Sequence, residues 1–313
     1  MLSFVIPCYR SAQTIEAVVR EIEETCGRLT QAADGYEIIL VHDGSGEETW
    51  TVLKRLAQTD PHVAAYDLSR NFGQHAALMA GLRMAHGDVA VCLDDDGQTP
   101  ADEAGKLLDA IDAGADAVYA RYSAKQHSLF RNFGSAINDR MADIMLGKPH
   151  DLAVSSYFAI RRFVIDEILR YRGSYPYLIG LVLRTTSRVV NVDVSHRQRE
   201  KGNSGYTLTK LISLWMNGFT AFSVKPLRIA TLTGMGFAVI GFLYGIYTII
   251  KKFVIPDVPV GFSAMMSALM FIGGMLMLML GMVGEYLGRM YLTQNNTPQY
   301  VIREEAGTER GDA

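Results

Sequence analysis

The chain has 313 residues, 49% of them hydrophobic, and a formal net charge of −3, a balance that offers no basic surface to nucleic acid. Its three cysteines, Cys8, Cys26 and Cys92, are an odd number without metal-ligand spacing; they argue against a disulfide framework and read as packed thiols in a reducing compartment. The apolar excess is uneven, because residues 1–225 read as a soluble mixture of helix and strand while 229–250 and 258–284 carry no charged side chain.

The opening residues, MLSFVIPCYR, lack the basic, apolar and small-residue succession of a secretory signal, so the soluble part is expected on the cytoplasmic side. Five short apolar runs follow in order: LSFVIP at 2–7, YEIILV at 36–41, HVAAYDL at 62–68, DVAVCL at 88–93 and ADAVYA at 115–120. The segments between them have helical periodicity. Strands alternating with helices predict an α/β domain with a mostly parallel, doubly wound sheet. Such sheets bind ligands outside the carboxyl ends of their strands, which makes the residues after each run the candidates for chemistry.

After the first run stand Pro7 and Tyr9, the tyrosine suited either to lining a nucleobase or to packing. Asp43, Gly44 and Ser45 follow the second. The glycine permits close backbone approach and the carboxylate can accept hydrogen bonds from a base or ribose, although the same tripeptide is an ordinary turn signal. Arg70, Asn71 and Gly73 leave the third run and Arg121 the fifth; such arginines serve as phosphate ligands or as surface ion pairs.

The fourth run ends in Asp94, Asp95, Asp96, Gly97 and Gln98. Successive carboxylates repel one another unless a cation or solvent relieves them. In an extended segment alternate residues point the same way, so Asp94, Asp96 and Gln98 can present three oxygens together while Asp95 faces elsewhere. Oxygen donors of this kind suit Mg²⁺ or Mn²⁺ bridging to a diphosphate. The competing reading is a solvated acidic turn before the helix that starts near Pro100.

Beyond residue 125 the pattern changes. In residues 128–146, Leu129, Phe130, Phe133, Ile137, Met141, Ile144 and Met145 fall near one helical face, and a second amphipathic stretch covers 207–222. Beside a membrane anchor such helices lie in the interface or pack on their own domain. Between them, Arg197, Arg199, Lys201 and Lys210 surround Gly202, Ser204 and Gly205, a composition suited to cradling phosphate or to meeting anionic headgroups. The uncharged runs then read as two membrane spans, about 229–250 and 261–284, since a helix needs about 20 apolar residues to cross the hydrocarbon. Lys225, Arg228 and Arg289 outside the spans face Lys251 and Lys252 between them, which leaves orientation weakly marked. Residues 303–313 read as a disordered polar tail. GxGxxG, Walker, HExxH and GxSxG patterns are missing, which removes the usual support for a dehydrogenase, an ATPase or an esterase.

With these motifs assembled, the chain resembles family 2 glycosyltransferases of the GT-A fold, in the polyprenyl-phosphate branch that includes dolichyl-phosphate mannose synthases and bacterial undecaprenyl-phosphate glucosyl or aminoarabinose transferases. VIPCYR, VHDGSGEET, LSRNFGQHAAL, LDDDGQTP, the RxxGxS element from Arg199 to Ser204, FSVKPLR, GEYLGRMY and TPQYVI carry the likeness along nearly the whole chain. The resemblance implies a catalytic domain at 1–206, a juxtamembrane helix and linker at 207–228, two transmembrane helices within 229–286 and a cytoplasmic tail at 287–313. It implies that Asp94, Asp96 and Gln98 hold Mg²⁺ or Mn²⁺ on the donor diphosphate and that Pro7, Tyr9, Asp43 and Gly44, with Arg70 and Asp95, form the nucleotide-sugar site. Arg121, Arg131, Arg199 and Ser204 would meet donor or acceptor phosphates. Two positions depart from the family pattern: His42 stands where aspartate or asparagine is common, and Gly97 where a bulky apolar residue is usual.

The implied activity is inverting transfer from a nucleotide diphosphate sugar, UDP being weakly favoured, to undecaprenyl or another polyprenyl phosphate. The enzyme would be a multi-pass protein of the bacterial inner membrane with its catalytic domain in the cytoplasm; related anchored enzymes often associate through their spans, and the sequence leaves a homo-oligomer open. A processive polysaccharide synthase shares the paired aspartates but needs a translocation channel and a QxxRW element that this chain lacks. A non-catalytic binding module of the same fold would have no use for the intact aspartate set.

Overall fold

The computed structural model describes residues 1–122, 149, 151–195, 225–254, 261–295 and 297–307. Both amphipathic stretches, and Arg131, Arg199 and Ser204 with them, lie outside these residues. The chain divides into two compact units, one of residues 1–211 and 296–313 and the other of residues 212–295.

In the first unit, strands β1 (Leu2–Cys8), β2 (Tyr36–His42), β3 (Val63–Leu68), β4 (Val89–Cys92) and β5 (Ala117–Tyr122) form where the five apolar runs predict them. Three further strands join them: β6 (Phe158–Arg161), β7 (Val189–Val194) and β8 (Ile302–Ala306). The sheet order is β7-β5-β6-β4-β1-β2-β3-β8. β1 is parallel to β2 and β4, β2 to β3 and β5 to β7; β6 runs antiparallel to both β4 and β5, and β8 antiparallel to β3. The sheet is therefore mixed but mostly parallel.

The apolar runs are continuous rather than alternating because helices cover both faces. Phe4, Ile6, Ile38 and Leu40 share one core cluster with Ile15, Val18 and Ile22 of α1 (Ile15–Cys26), Trp50 and Leu53 of α2 (Glu47–Thr59), and Leu107 and Ile111 of α4 (Ala104–Asp112). On the other face α3 (Gln74–Met84) lies so close that a Cβ on Gly81 would stand 2.4 Å from the Val5 side chain and 3.1 Å from that of Val41. Only glycine allows that approach, which sets the N-terminus of α3 against the carboxyl ends of the strands. Two short helices, α5 (Arg162–Ile168) and α6 (Leu178–Thr185), complete the unit.

The polar tail expected to be disordered from residue 303 is instead ordered as β8 through Ala306. Two of its three charged side chains meet tertiary partners: Arg303 pairs with Asp67, and Glu304 accepts from Trp50 Nε1 at 3.1 Å and pairs with Lys54. An edge strand of this kind takes its stability from the neighbour it caps, which composition does not reveal.

Among the described residues the second unit holds a pair of long helices, α7 (Lys225–Val254) and α8 (Phe262–Gln294), which meet through the rings of Phe237 and Phe271, 5.2 Å apart. Among the described residues one stretch, Phe271–Leu292 in α8, is long and apolar enough to cross a membrane. The apolar stretch of α7, Thr231–Tyr244, is shorter than a span requires.

Candidate active site

Four parallel strands deliver their carboxyl ends to one place, and the loops that leave them hold one another. Tyr9, after β1, donates its backbone N–H to Asp95 Oδ2 at 2.8 Å, joining that loop to the one after β4. Arg10 donates its backbone N–H to Ser45 Oγ at 2.9 Å, joining it to the loop after β2. Arg10 does so in the left-handed region, at φ 60°, an uncommon conformation for a side chain of this size.

The loop after β2 is fastened to the loop after β3 by Asp43. Its Oδ1 accepts from Phe72 N–H at 2.7 Å, and its Oδ2 from Gly73 N–H and Asn71 Nδ2, each at 3.0 Å. Burial raises the pKa of Asp43, and the two backbone N–H donors oppose that rise. The carboxylate thus serves as a brace for residues 71–73. Gly44 lies at φ 59°, and a Cβ there would fall 2.5 Å from the Arg70 carbonyl carbon and the Asn71 nitrogen. His42 is buried, with Ser45 N–H donating to its Nε2 at 3.0 Å.

The aspartate cluster after β4 splits according to environment. Asp95 turns inward to Tyr9 N–H, beside the Ser11 hydroxyl, and its backbone carbonyl accepts from Thr14 Oγ1 at 2.6 Å. Burial pushes its pKa up to about 6 against the pull of the Tyr9 N–H, and the charges of Asp94 and Asp96 add to the rise. Asp94 accepts from Gln74 Nε2 at 2.9 Å, at the start of α3, and from the Ser156 hydroxyl just before β6. Asp96 accepts from the Gln98 N–H at 3.0 Å and from its Nε2 at 2.7 Å. Tyr122 is held near both carboxylates: burial lifts its hydroxyl to about 12, a hydrogen bond with Thr99 opposes this, and the charges of Asp94 and Asp96 contribute to the rise.

Among the described residues no three His, Cys, Asp or Glu side chains are gathered closely enough to ligate one ion. Gln98 engages Asp96 through its amide nitrogen instead of standing beside it as a third oxygen donor. Asp94 and Asp96 form a pair separated in the chain by Asp95, with Gln74, Ser156 and Gln98 among the groups that hold them. That set fits a small hard divalent cation, which takes one or two carboxylates and completes its shell with substrate phosphate and water.

Of the other expected residues, Pro7 is buried within β1 and Tyr9 is 47% exposed at the mouth. Arg70 is exposed, its guanidinium 4.4 Å from the centre of the Phe72 ring. Arg121, half exposed at the end of β5, forms a two-pronged ion pair with Asp193 of β7, at 2.6 and 3.0 Å. Gln74 and Ser156 belong to the site without being legible in the sequence. Gln74 has a faint signal in following Gly73 at a helix start, and Ser156 has none, because it reaches Asp94 only through the antiparallel pairing of β6 with β4.

Sheet topology and the strand-end loops that carry the aspartate pair define a GT-A-like α/β fold. The profile described as glycosyl transferase family 2 matches residues 3–169, and one described as the GtrB C-terminal hairpin matches residues 225–290. The chain belongs to glycosyl transferase family 2 and is a glycosyltransferase. It is 32% identical to undecaprenyl-phosphate 4-deoxy-4-formamido-L-arabinose transferases of Yersinia pestis bv. Antiqua (strain Angola) and Yersinia pseudotuberculosis serotype O:3 (strain YPIII), over 99% of this chain and 94% of theirs. In fold it is similar to glucosyl-3-phosphoglycerate synthase from Mycobacterium tuberculosis. A complex of that enzyme with phosphoglyceric acid superposes at a TM-score of 0.50 and 17% identity, covering 69% of this chain and 75% of that one. Its complex with Mn²⁺ and UDP-glucose gives 0.50 at 18% identity, covering 75% and 78%.

Proposed function

We propose that this enzyme transfers a sugar, with inversion, from a nucleotide diphosphate carrier, UDP in the first instance, to undecaprenyl or another polyprenyl phosphate at the cytoplasmic face of a bacterial membrane. The carrying observation is the Asp94–Asp96 pair at the carboxyl end of β4. It lies in a chain that aligns over 99% of its length with transferases named for undecaprenyl phosphate.

Asp94 and Asp96 would hold Mg²⁺ or Mn²⁺, and the bound cation would supply neutralisation of the charge on the departing diphosphate. Asp95, turned inward, keeps Tyr9 and the loop after β1 in register with them. Tyr9 and Arg10 line the nucleotide side of the mouth, and Gly44 lets that loop lie on the backbone of Arg70 and Asn71. An acceptor phosphate oxygen attacks the sugar C1 from the face opposite the diphosphate; the new C1–O bond forms as the old one breaks, and nucleoside diphosphate leaves. The acceptor is already anionic at neutral pH, so no strong general base is needed. Arg121 is assigned to orienting phosphate, a role that requires it to exchange Asp193 for the ligand. Arg70, Arg131, Arg199 and Ser204 complete the proposed phosphate contacts.

The catalytic domain of residues 1–206 is proposed to be held at the headgroup layer by α7 and α8 acting as a two-span hairpin, supported by the apolar stretch at Phe271–Leu292 and the match to the hairpin profile. The polyprenyl tail of the acceptor is insoluble in water, which places the transfer at that layer. The test is incubation of the purified full-length protein and Mg²⁺ or Mn²⁺ with undecaprenyl phosphate and a panel of UDP-, GDP- and other nucleotide sugars, followed by mass spectrometry of the lipid phase. A glycosyl phosphoryl lipid is expected with at least one donor; no lipid-linked product with any donor overturns the reading.

A further inference from the structure

β8 lies at one end of the sheet and follows the hairpin in the chain, far in sequence from the strand-end loops of the first hundred residues. It is nonetheless tied to them by an unbroken set of polar contacts. Arg303 Nε donates to Asp67 Oδ2 at 2.6 Å, and a second guanidinium nitrogen reaches the same oxygen. Asp67, on β3, is fully buried and uses its other oxygen, Oδ1, to meet His42 Nδ1 at 2.7 Å. His42 is also buried, and because its Nε2 accepts from Ser45 N–H, its single ring proton belongs on Nδ1 and is donated to Asp67. Ser45 Oγ then accepts the backbone N–H of Arg10, the residue held at φ 60°.

The contacts run β8–β3–β2–β1, across four neighbouring strands, and end at the two loops that carry Tyr9 and Gly44. The arrangement asks for a basic group at residue 303, since a buried carboxylate is costly to leave unpaired. It also orients an imidazole through a carboxylate, which fixes the tautomer that can accept from the Ser45 amide.

We propose that Arg303, on the strand that follows the hairpin, is a positioning residue for the nucleotide-binding loops, acting through Asp67, His42 and Ser45. The inference rests on the donor-site reading above and deepens it: the return segment of the chain is part of the donor site, and His42 serves as a relay of geometry, out of reach of the nucleotide itself.

The test uses the full-length protein in detergent, with UDP, GDP, CDP and dTDP as probes in the presence of Mg²⁺ and binding followed by calorimetry. Arg303→Met is expected to weaken the best-bound nucleotide about tenfold and to raise donor KM with kcat changed by less than about twofold, with Arg303→Lys recovering part of the loss. Amide exchange at residues 43–46 is expected to quicken in Arg303→Met. Ser45→Ala cuts the same chain at its other end, so the double variant is expected to bind no more weakly than the worse single one. Glu304→Gln, whose contacts are Trp50 and Lys54, is expected to leave nucleotide affinity within about twofold of the wild type. Unchanged affinity and exchange in Arg303→Met, or additive losses in the double variant, overturn the inference while leaving the donor reading in place. Should Arg303→Met fail to fold because Asp67 is left charged and buried, Asp67→Asn combined with Arg303→Met removes both charges and is read in the same way. A wild type that binds none of the four nucleotides overturns the donor reading, and this inference with it.

Discussion

The sheet unit and the helical hairpin treat apolar side chains in opposite ways. Phe4, Ile6, Ile38 and Leu40 are entirely buried in the sheet unit, whereas Phe242 is 70% and Met277 74% exposed in the hairpin. Each large apolar side chain left in water forfeits about 1.5–3 kcal/mol. One unit thus encloses its own apolar solvent, and the other requires it from outside. The polar groups divide in the same way: the aspartates, arginines and buried histidine that could do chemistry belong to the sheet unit, and the apolar stretch of α8, Phe271–Leu292, offers a single carboxylate, Glu285. Chemistry and solvent selection are therefore carried by separate parts of one chain, and each can be broken without the other.

The largest expected effect breaks the hairpin side. Ile272 and Leu276 are both exposed and lie one turn apart on α8. Changing both to arginine costs about 6–8 kcal/mol of insertion on a translocon scale. The double variant is expected to leave the membrane pellet on alkaline extraction while its sheet unit binds nucleotide as before; retention in the pellet would deny the hairpin its proposed place in lipid. The next effect breaks the sheet side. Asp96→Asn keeps the shape of the loop but removes half of the proposed cation-binding pair, and transfer is expected to fall about a thousandfold, or about 4 kcal/mol. Circular dichroism and membrane retention should not change; activity near the wild-type level would remove Asp96 from the mechanism.

The two regions also differ in how far they can be read from sequence. The first five strands are legible because a strand covered on both faces is a continuous apolar run, as FVI and IILV show. β6 is only four residues long, and the burial pattern of β7, with Val190 exposed, is that of a strand at the rim of a sheet. β8 has three charged residues among five and reads locally as a disordered tail, because the partners that neutralise it, Asp67, Trp50 and Lys54, are some 240 residues away in sequence. The same distinction runs through the site. Asp94 to Asp96 stand out because they follow a buried strand directly. The contacts of Asp94 with Gln74 and Ser156, and the use of Asp43 as a brace for residues 71–73, are products of tertiary folding that no local pattern announces.

Gly44 sharpens the comparison at an intermediate scale, since it tests whether the strand-end loops form one assembly. A Cβ there meets backbone atoms at 2.5 Å, and the positive φ adds strain of its own. Gly44→Ala is expected to cost about 1–3 kcal/mol of stability and to raise donor KM, with membrane retention untouched. Urea unfolding and initial-rate kinetics measure the two losses; an unaltered KM would detach this loop from the nucleotide.

The smallest effect separates the units by pH. His75, in the first turn of α3, is partly buried, with its Nδ1 enclosed and unpartnered among the described residues and its ring edge-on to Tyr177 at 5.1 Å. Burial lowers its pKa from 6.5 to about 4. Between those values the unfolded chain binds a proton that the folded sheet unit does not, so stability is lost as pH falls below about 6.5. The expected loss from this one group is about 1 kcal/mol between pH 7 and pH 5.5. His75→Phe keeps a ring against Tyr177 but cannot take up the proton. The gap between variant and wild type, measured by urea unfolding, should therefore shift in favour of the variant as the solution is acidified. A gap that stays constant from pH 7 to pH 5.5 would mean that His75 is protonated equally in the folded and unfolded chains, and that the space beside the start of α3 admits water.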